Sequence, residues 1–281
     1  MKAKASRFNV FALLAAGILA LFVVRTLLAV HFDVPRLFDL FDTLTLAGSV
    51  VVLLKEYAKL KPGDWLLAAG LGAVTGVGMC FATLYSPYPA FGVVQGNVGQ
   101  AWMRGIFTFL AALGGLAIMR LGGPVLFRTA NHEPARAGRD ILFGLVVGLP
   151  LAVLNVFALQ YTQAQSISWQ SPAAALLDAL QPAVVEEVVY RCALWGLLWM
   201  ILRRSMGDKA IWSSGALAMI VHNFAHYDAL FVQSPLIAVG MGLVVLIFWG
   251  LPPAVLARYR SLESAIAFHW IQDAARFVAG F

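Results

Sequence analysis

Glu186, Glu187 and Arg191 lie within LLDALQPAVVEEVVYRCALWGLLWMIL, a stretch otherwise apolar enough to cross a bilayer. A charged group near a bilayer centre costs about 2.5–3.5 kcal/mol on insertion scales, so three such groups in one segment mark a functional site by default. At about 100° per residue, Glu187 and Arg191 share one helical face and can form an ion pair. Glu186 points about 100° away and has no local cation. A desolvated carboxylate of this kind suits a general base working near neutral pH. Pro182, four residues before Glu186, frees a backbone carbonyl and favours a kink at the level of the cluster. The plain alternative is that both glutamates only lock helices together. Two adjacent acids with one local arginine weigh against it, because excess buried charge is expensive unless it is used.

Three of the five histidines extend the pattern. His222 and His226 are four apart on one helical face, and either imidazole can meet Glu186. His269 is followed four residues later by Asp273, and Arg276 continues that polar stripe. Counted from the basic residues flanking each segment at about 1.5 Å per residue, Glu186 lies ~25 Å from Arg203, His222 ~20 Å from Lys209 and His269 ~14 Å from Arg260. The three fall in one broad layer.

These residues need a bundle of membrane helices to bring them together, and the composition supplies one. Of 281 residues, 61% are hydrophobic and 12% charged, against about 25% charged in soluble domains; mean hydropathy is +0.81. The expected fold is all-α, a polytopic transmembrane helical bundle. Apolar runs place nine spans near residues 8–30, 37–54, 64–85, 101–119, 141–160, 174–200, 210–227, 236–257 and 261–280, with eight as the alternative count. The second, made polar by Asp39 and Asp42, and the last are the weakest. The N-terminal segment reads as a retained first span rather than a cleaved leader. Cys80 and Cys192 read as small buried hydrophobes, and the basic pI near 9.5 as a topology signal rather than a nucleic-acid footprint.

Loop charge tests the span count. One side receives Lys2, Lys4, Arg7, Lys55, Lys59, Lys61, Arg120, Arg128, Arg136, Arg139, Arg203, Arg204, Lys209, Arg258 and Arg260; the other receives Arg36 and Arg104. Cytoplasmic loops are enriched in Lys and Arg, so the N-terminus is expected in the cytoplasm and the C-terminus outside. Residues 1–140 form four leading helices with a cytoplasmic linker, and residues 141–281 a catalytic core of five. The loop 86–100, rich in Pro, Gly and aromatics, reads as an irregular connection more readily than as a lid.

The order and spacing of these motifs resemble the CAAX protease and bacteriocin-processing (Abi) family of intramembrane proteases. The family's paired glutamate and arginine match Glu186, Glu187 and Arg191; its middle histidine matches His222 within SSGALAMIVH, with His226 the alternative; its last motif matches His269 and Asp273 within SLESAIAFHWIQD. Ala218 stands where the family usually has Phe, and Asp273 where Asn is commoner. The resemblance is clearest over residues 171–281.

What it implies is an intramembrane endopeptidase. Glu186 would activate water held by His222 and His269, Glu187 and Arg191 would fix the helix, and Asp273 would orient His269. Two histidines and a carboxylate would suit Zn²⁺, with His222 and His269 as ligands, although the zincin His-Glu-x-x-His motif is absent. A glutamate mechanism without metal, with the histidines as donors to an oxyanion, is equally open. The expected partners are membrane lipids and a membrane-associated protein or peptide substrate, not nucleic acid. The expected setting is a multi-pass integral membrane protein, in the plasma membrane if the source is bacterial. A proton- or ion-coupled transporter using the same groups as a relay, and a noncatalytic scaffold, are the rivals. The absence of an obvious internal repeat weighs against the transporter.

Overall fold

The computed structural model describes residues 2–82, 94 and 96–281, with side chains from residue 10 onward. Most of the loop 86–100 lies outside them. The described residues are all-α: α1 Lys2–Ala29, α2 Leu37–Glu56, α3 Pro62–Cys80, α4 Asn97–Arg120, α5 Pro134–Gln163, α6 Pro172–Asp178, α7 Trp195–Met206, α8 Ala210–Ala225, α9 Asp228–Gln233, α10 Pro235–Val245, α11 Leu251–Tyr259 and α12 Leu262–Val278. A wider π-helical stretch, Gln181–Leu194, joins α6 to α7, and a second, Leu246–Gly250, joins α10 to α11. Residues 172–206 and 235–259 are therefore continuous rods. With short α9 set aside, the described residues form nine long rods running alternately up and down.

Six of the nine are long and apolar enough to cross a bilayer: Val10–Ala29, Leu37–Lys59, Pro62–Cys80, Asn97–Arg120, Pro134–Gln163 and Pro235–Tyr259. This is a multi-pass helical membrane protein. The other three rods are the ones that carry Glu186, His222 and His269. α8 and α12 are 16 and 17 residues long, short of the ~20 that a full span needs, and the polar residues of 172–206 lower its hydropathy. Their surroundings explain this composition: they pack within the bundle, whereas α1, α5 and α10 turn large apolar side chains such as Leu19, Leu142 and Leu236 outward.

Helices in lipid associate through close packing of small residues rather than through a hydrophobic drive. α5 lies against α12 where a Cβ on Gly144 would collide with the Ser264 carbonyl, and α4 meets the π-helical stretch where a Cβ on Gly115 would collide with Cys192 Sγ. Cys192 is buried and Cys80 half-buried, both as free thiols.

The ends of the rods at residues 55–64, 120–140 and 258–263 are tied together, and the start of α8 meets them where the Trp212 ring lies 6.1 Å from that of Tyr259. Arg120 holds Asp64 at 2.6 Å, Arg260 holds Asp140 at 3.2 Å, and Glu263 accepts the Thr129 N–H at 2.7 Å. The connection after α4 is thereby fastened to the start of α12, and its Val125 and Phe127 are buried. At the opposite end Arg25 of α1 pairs with Asp228 of α9 at 2.5 Å, while Asp228 also accepts the Leu37 N–H at 3.1 Å.

Candidate active site

The rod 172–206 enters the bundle as an ordinary helix and widens at Gln181–Leu194, just where Pro182 interrupts normal α-helical bonding. Trp195 N–H reaches back five residues to the Tyr190 carbonyl. Such i→i+5 winding is rare and concentrates at functional positions. Here it covers the whole Glu186–Arg191 motif.

The two glutamates face different partners. Glu187 is fully buried, and its Oε1 accepts from both Arg191 and the His269 ring, the latter at 2.7 Å from Nδ1. Arg191 also donates to the Gly250 carbonyl at 3.3 Å. The other His269 nitrogen, Nε2, lies 3.2 Å from Asp273 Oδ2, and Asp273 Oδ1 accepts from Arg276 Nε at 2.6 Å. This run of alternating charge joins the π-helical stretch to α12 and fixes the imidazole at both nitrogens.

Glu186 Oε2 lies 2.7 Å from His222 Nε2 and 3.7 Å from His226 Nε2. His222 is buried, whereas the His226 side chain is 41% exposed. The rings of His222 and His269 stand 6.4 Å apart. The structure thus brings Glu186, Glu187, Arg191, His222, His226, His269 and Asp273 into one cluster. It distributes the histidines differently from the sequence expectation: His269 meets Glu187, and both His222 and His226 face Glu186. Glu186, His222 and His226 form a group whose ligand atoms lie within 4.8 Å of one another. His226, not His269, is the second imidazole beside Glu186.

Glu186 and His226 border a cavity of about 410 Å³, within the size range of ligand sites. Its far wall comes from the leading helices. Phe38 of α2 meets the His226 ring edge-on at 4.8 Å, and Tyr190 stacks on His222 at 4.6 Å with 21° between planes. The Tyr190 hydroxyl donates to Asp42 Oδ1 at 2.6 Å, and Asp42 Oδ2 accepts from Arg104 at 3.2 Å. Sequence reasoning did not assign Asp42, Arg104, Tyr190 or Phe38 to the site. Asp42 and Arg104 carried a readable signal, as charges in apolar segments; Phe38 and Tyr190 carried none.

Residues 168–275 match the family model of the Rce1-like type II CAAX prenyl endopeptidases. That stretch is an Rce1-like domain. The family is one of membrane proteases, and the domain contains Glu186, His222, His226 and His269 together with Asp273. No curated protein and no solved structure matches the chain. The match starts three residues before the region of clearest resemblance and stops before the C-terminal residues 276–281. Arg276, which borders the cavity, is thus outside the Rce1-like domain, as are Asp42 and Arg104.

Proposed function

We propose that the chain is an intramembrane endopeptidase in which Glu186 activates water against a peptide bond of a membrane-associated protein or peptide, with all nine rods crossing the bilayer. The observation that carries this reading is the placement of the Glu186 carboxylate at a polar cavity, hydrogen-bonded to His222 and beside His226. A water between Glu186 and the substrate carbonyl gives its proton to the carboxylate as its oxygen bonds to the carbonyl carbon. The oxyanion so formed is met by the imidazole N–H of His226, which lines the cavity, the kind of fixed donor that stabilises developing charge, while His222 holds the Glu186 carboxylate. Glu186 then returns the proton to the departing amine as the C–N bond breaks. Glu187, Arg191, His269 and Asp273 hold the helices that carry these groups.

Comparing membrane peptides between cells making the wild type and Glu186→Gln tests the reading and finds the substrate together. Positioned acid–base groups contribute about 10²–10⁴-fold in rate, so the products should disappear while the variant still inserts and folds. Equal product levels from the purified variant would refute the role of Glu186.

A second reading is favoured by the closeness of the ligand atoms. Glu186, His222 and His226 supply the two-histidine, one-carboxylate donor set that suits Zn²⁺ with a position left open. Zinc held there would polarise the substrate carbonyl and acidify water. In that case Glu186 is a ligand, and His226 replaces His269 in the ligand pair expected from sequence.

A further inference from the structure

The cavity and the basic loops lie at opposite ends of the molecule. Arg36 caps α2 and Phe38 lies in its first turn, Gln181 is at the start of the π-helical stretch, His226 just past the end of α8, and Phe277 at the end of α12; all line the cavity. Arg36, Phe38, His226 and Phe277 stand at the ends of their rods where residues 25–37, 163–172, 225–235 and 278–281 gather, and Gln181, Glu186, Asp42 and Arg104 line the cavity deeper in the bundle. Lys55, Lys59, Lys61, Arg203, Arg204 and Lys209 stand at the other end, with Arg120, Arg128, Arg258 and Arg260. The basic residues of the cavity end are few, and each is paired with an acid: Arg25 with Asp228, Arg36 with Asp39, Arg104 with Asp42 and Arg276 with Asp273.

Orientation in a bilayer follows the count of Lys and Arg in short loops, and the rich side stays in the cytoplasm. The basic end is therefore cytoplasmic. We infer that the active-site cavity opens to the non-cytoplasmic face, so that the scissile bond is presented from outside the cytoplasm, on an exported peptide or on the outer juxtamembrane segment of a membrane protein. The substrate class rests on the protease reading above; the direction of the cavity does not. A lipidated C-terminus in the cytoplasmic leaflet would have to cross the membrane to reach Glu186. The family's descriptive name should then not transfer to this chain's substrate.

The test uses the full-length chain with Cys80→Ala and Cys192→Ala, in right-side-out and inverted membrane vesicles from cells that express it. Phe277→Cys reports the cavity mouth and Asp208→Cys the basic end, each probed with a membrane-impermeant maleimide. Phe277→Cys should label in right-side-out vesicles and Asp208→Cys in inverted ones; the reverse pattern would overturn the inference. Peptides released by the wild type but not by Glu186→Gln should map to non-cytoplasmic segments, and products cut from cytoplasmic tails would also overturn it. Loss of all product differences, with the labelling pattern intact, would remove the protease reading and leave the orientation standing.

Discussion

Replacing Glu187 by Gln isolates the electrostatic core of the site. Glu187 has no exposed surface, and its Oε1 serves both Arg191 and His269. Glutamine preserves volume and one carbonyl-type oxygen but removes the negative charge, leaving Arg191, 4% exposed, without its counter-ion. Removing one partner of a buried ion pair costs about 3–5 kcal/mol, a large part of a net stability of about 5–15 kcal/mol. The melting temperature should therefore fall by on the order of 10 °C. The double variant Glu187→Gln/Arg191→Met removes both charges and should recover most of that loss, because a buried pair replaced as a unit by apolar groups costs little. Its activity should stay low, since His269 still lacks the carboxylate that holds Nδ1. Intrinsic tryptophan fluorescence during heating in detergent reads the stability, and the buried Trp195, one residue past the π-helical stretch, lies close enough to report on it. A single variant that melts within about 1 °C of wild type, or a double variant that melts below the single, would refute the account.

Tyr190→Phe keeps the ring stacked on His222 but removes the hydroxyl that donates to Asp42; kcat should drop about tenfold at unchanged KM. Asp42→Ala should act similarly, and the double variant should be no worse than either single, as expected of residues in one chain of contacts; a lowered melting temperature with kcat unmoved would assign them a merely structural role. If zinc occupies Glu186, His222 and His226, the purified protein should carry about one equivalent of metal, as expected of a single site. His226→Gln should lose the metal by elemental analysis, and a chelator-resistant, metal-free active preparation would leave only the glutamate mechanism.

The rods were legible because their signals are local and repeated. Apolar runs place all nine rods, their ends to within about seven residues. The Rce1-like domain over residues 168–275 was legible because its motifs fall in order on three of those rods. What the sequence did not disclose are relations across the bundle. The motif spacing makes His226 the alternative to His222, yet the π-helical winding and the end of α8 bring both rings to one carboxylate. His269 was expected beside the water, but Glu187 and Asp273 take its two nitrogens. The spacing that puts Glu187 and Arg191 on one face of an α-helix also lets them pair in the wider helix, so that contact was readable despite the wrong helical type.

The polar residues that made the second span look weakest have a physical reason to be there. Asp42 on a lipid-facing helix would be expensive, but α2 turns it inward, where Tyr190 and Arg104 reach it from the π-helical stretch and from α4. Arg104, which the loop-charge pattern sets with Arg36 opposite the basic loops, belongs to the same contact. Both acid and base come from helices outside the Rce1-like domain, so that domain does not enclose its own cavity. A change in α2 or α4 can therefore alter the surroundings of Glu186 and His222 without touching a family motif. On the proposed protease reading, substrate selectivity would vary in those helices while Glu186, His222 and His226 stay fixed in the domain.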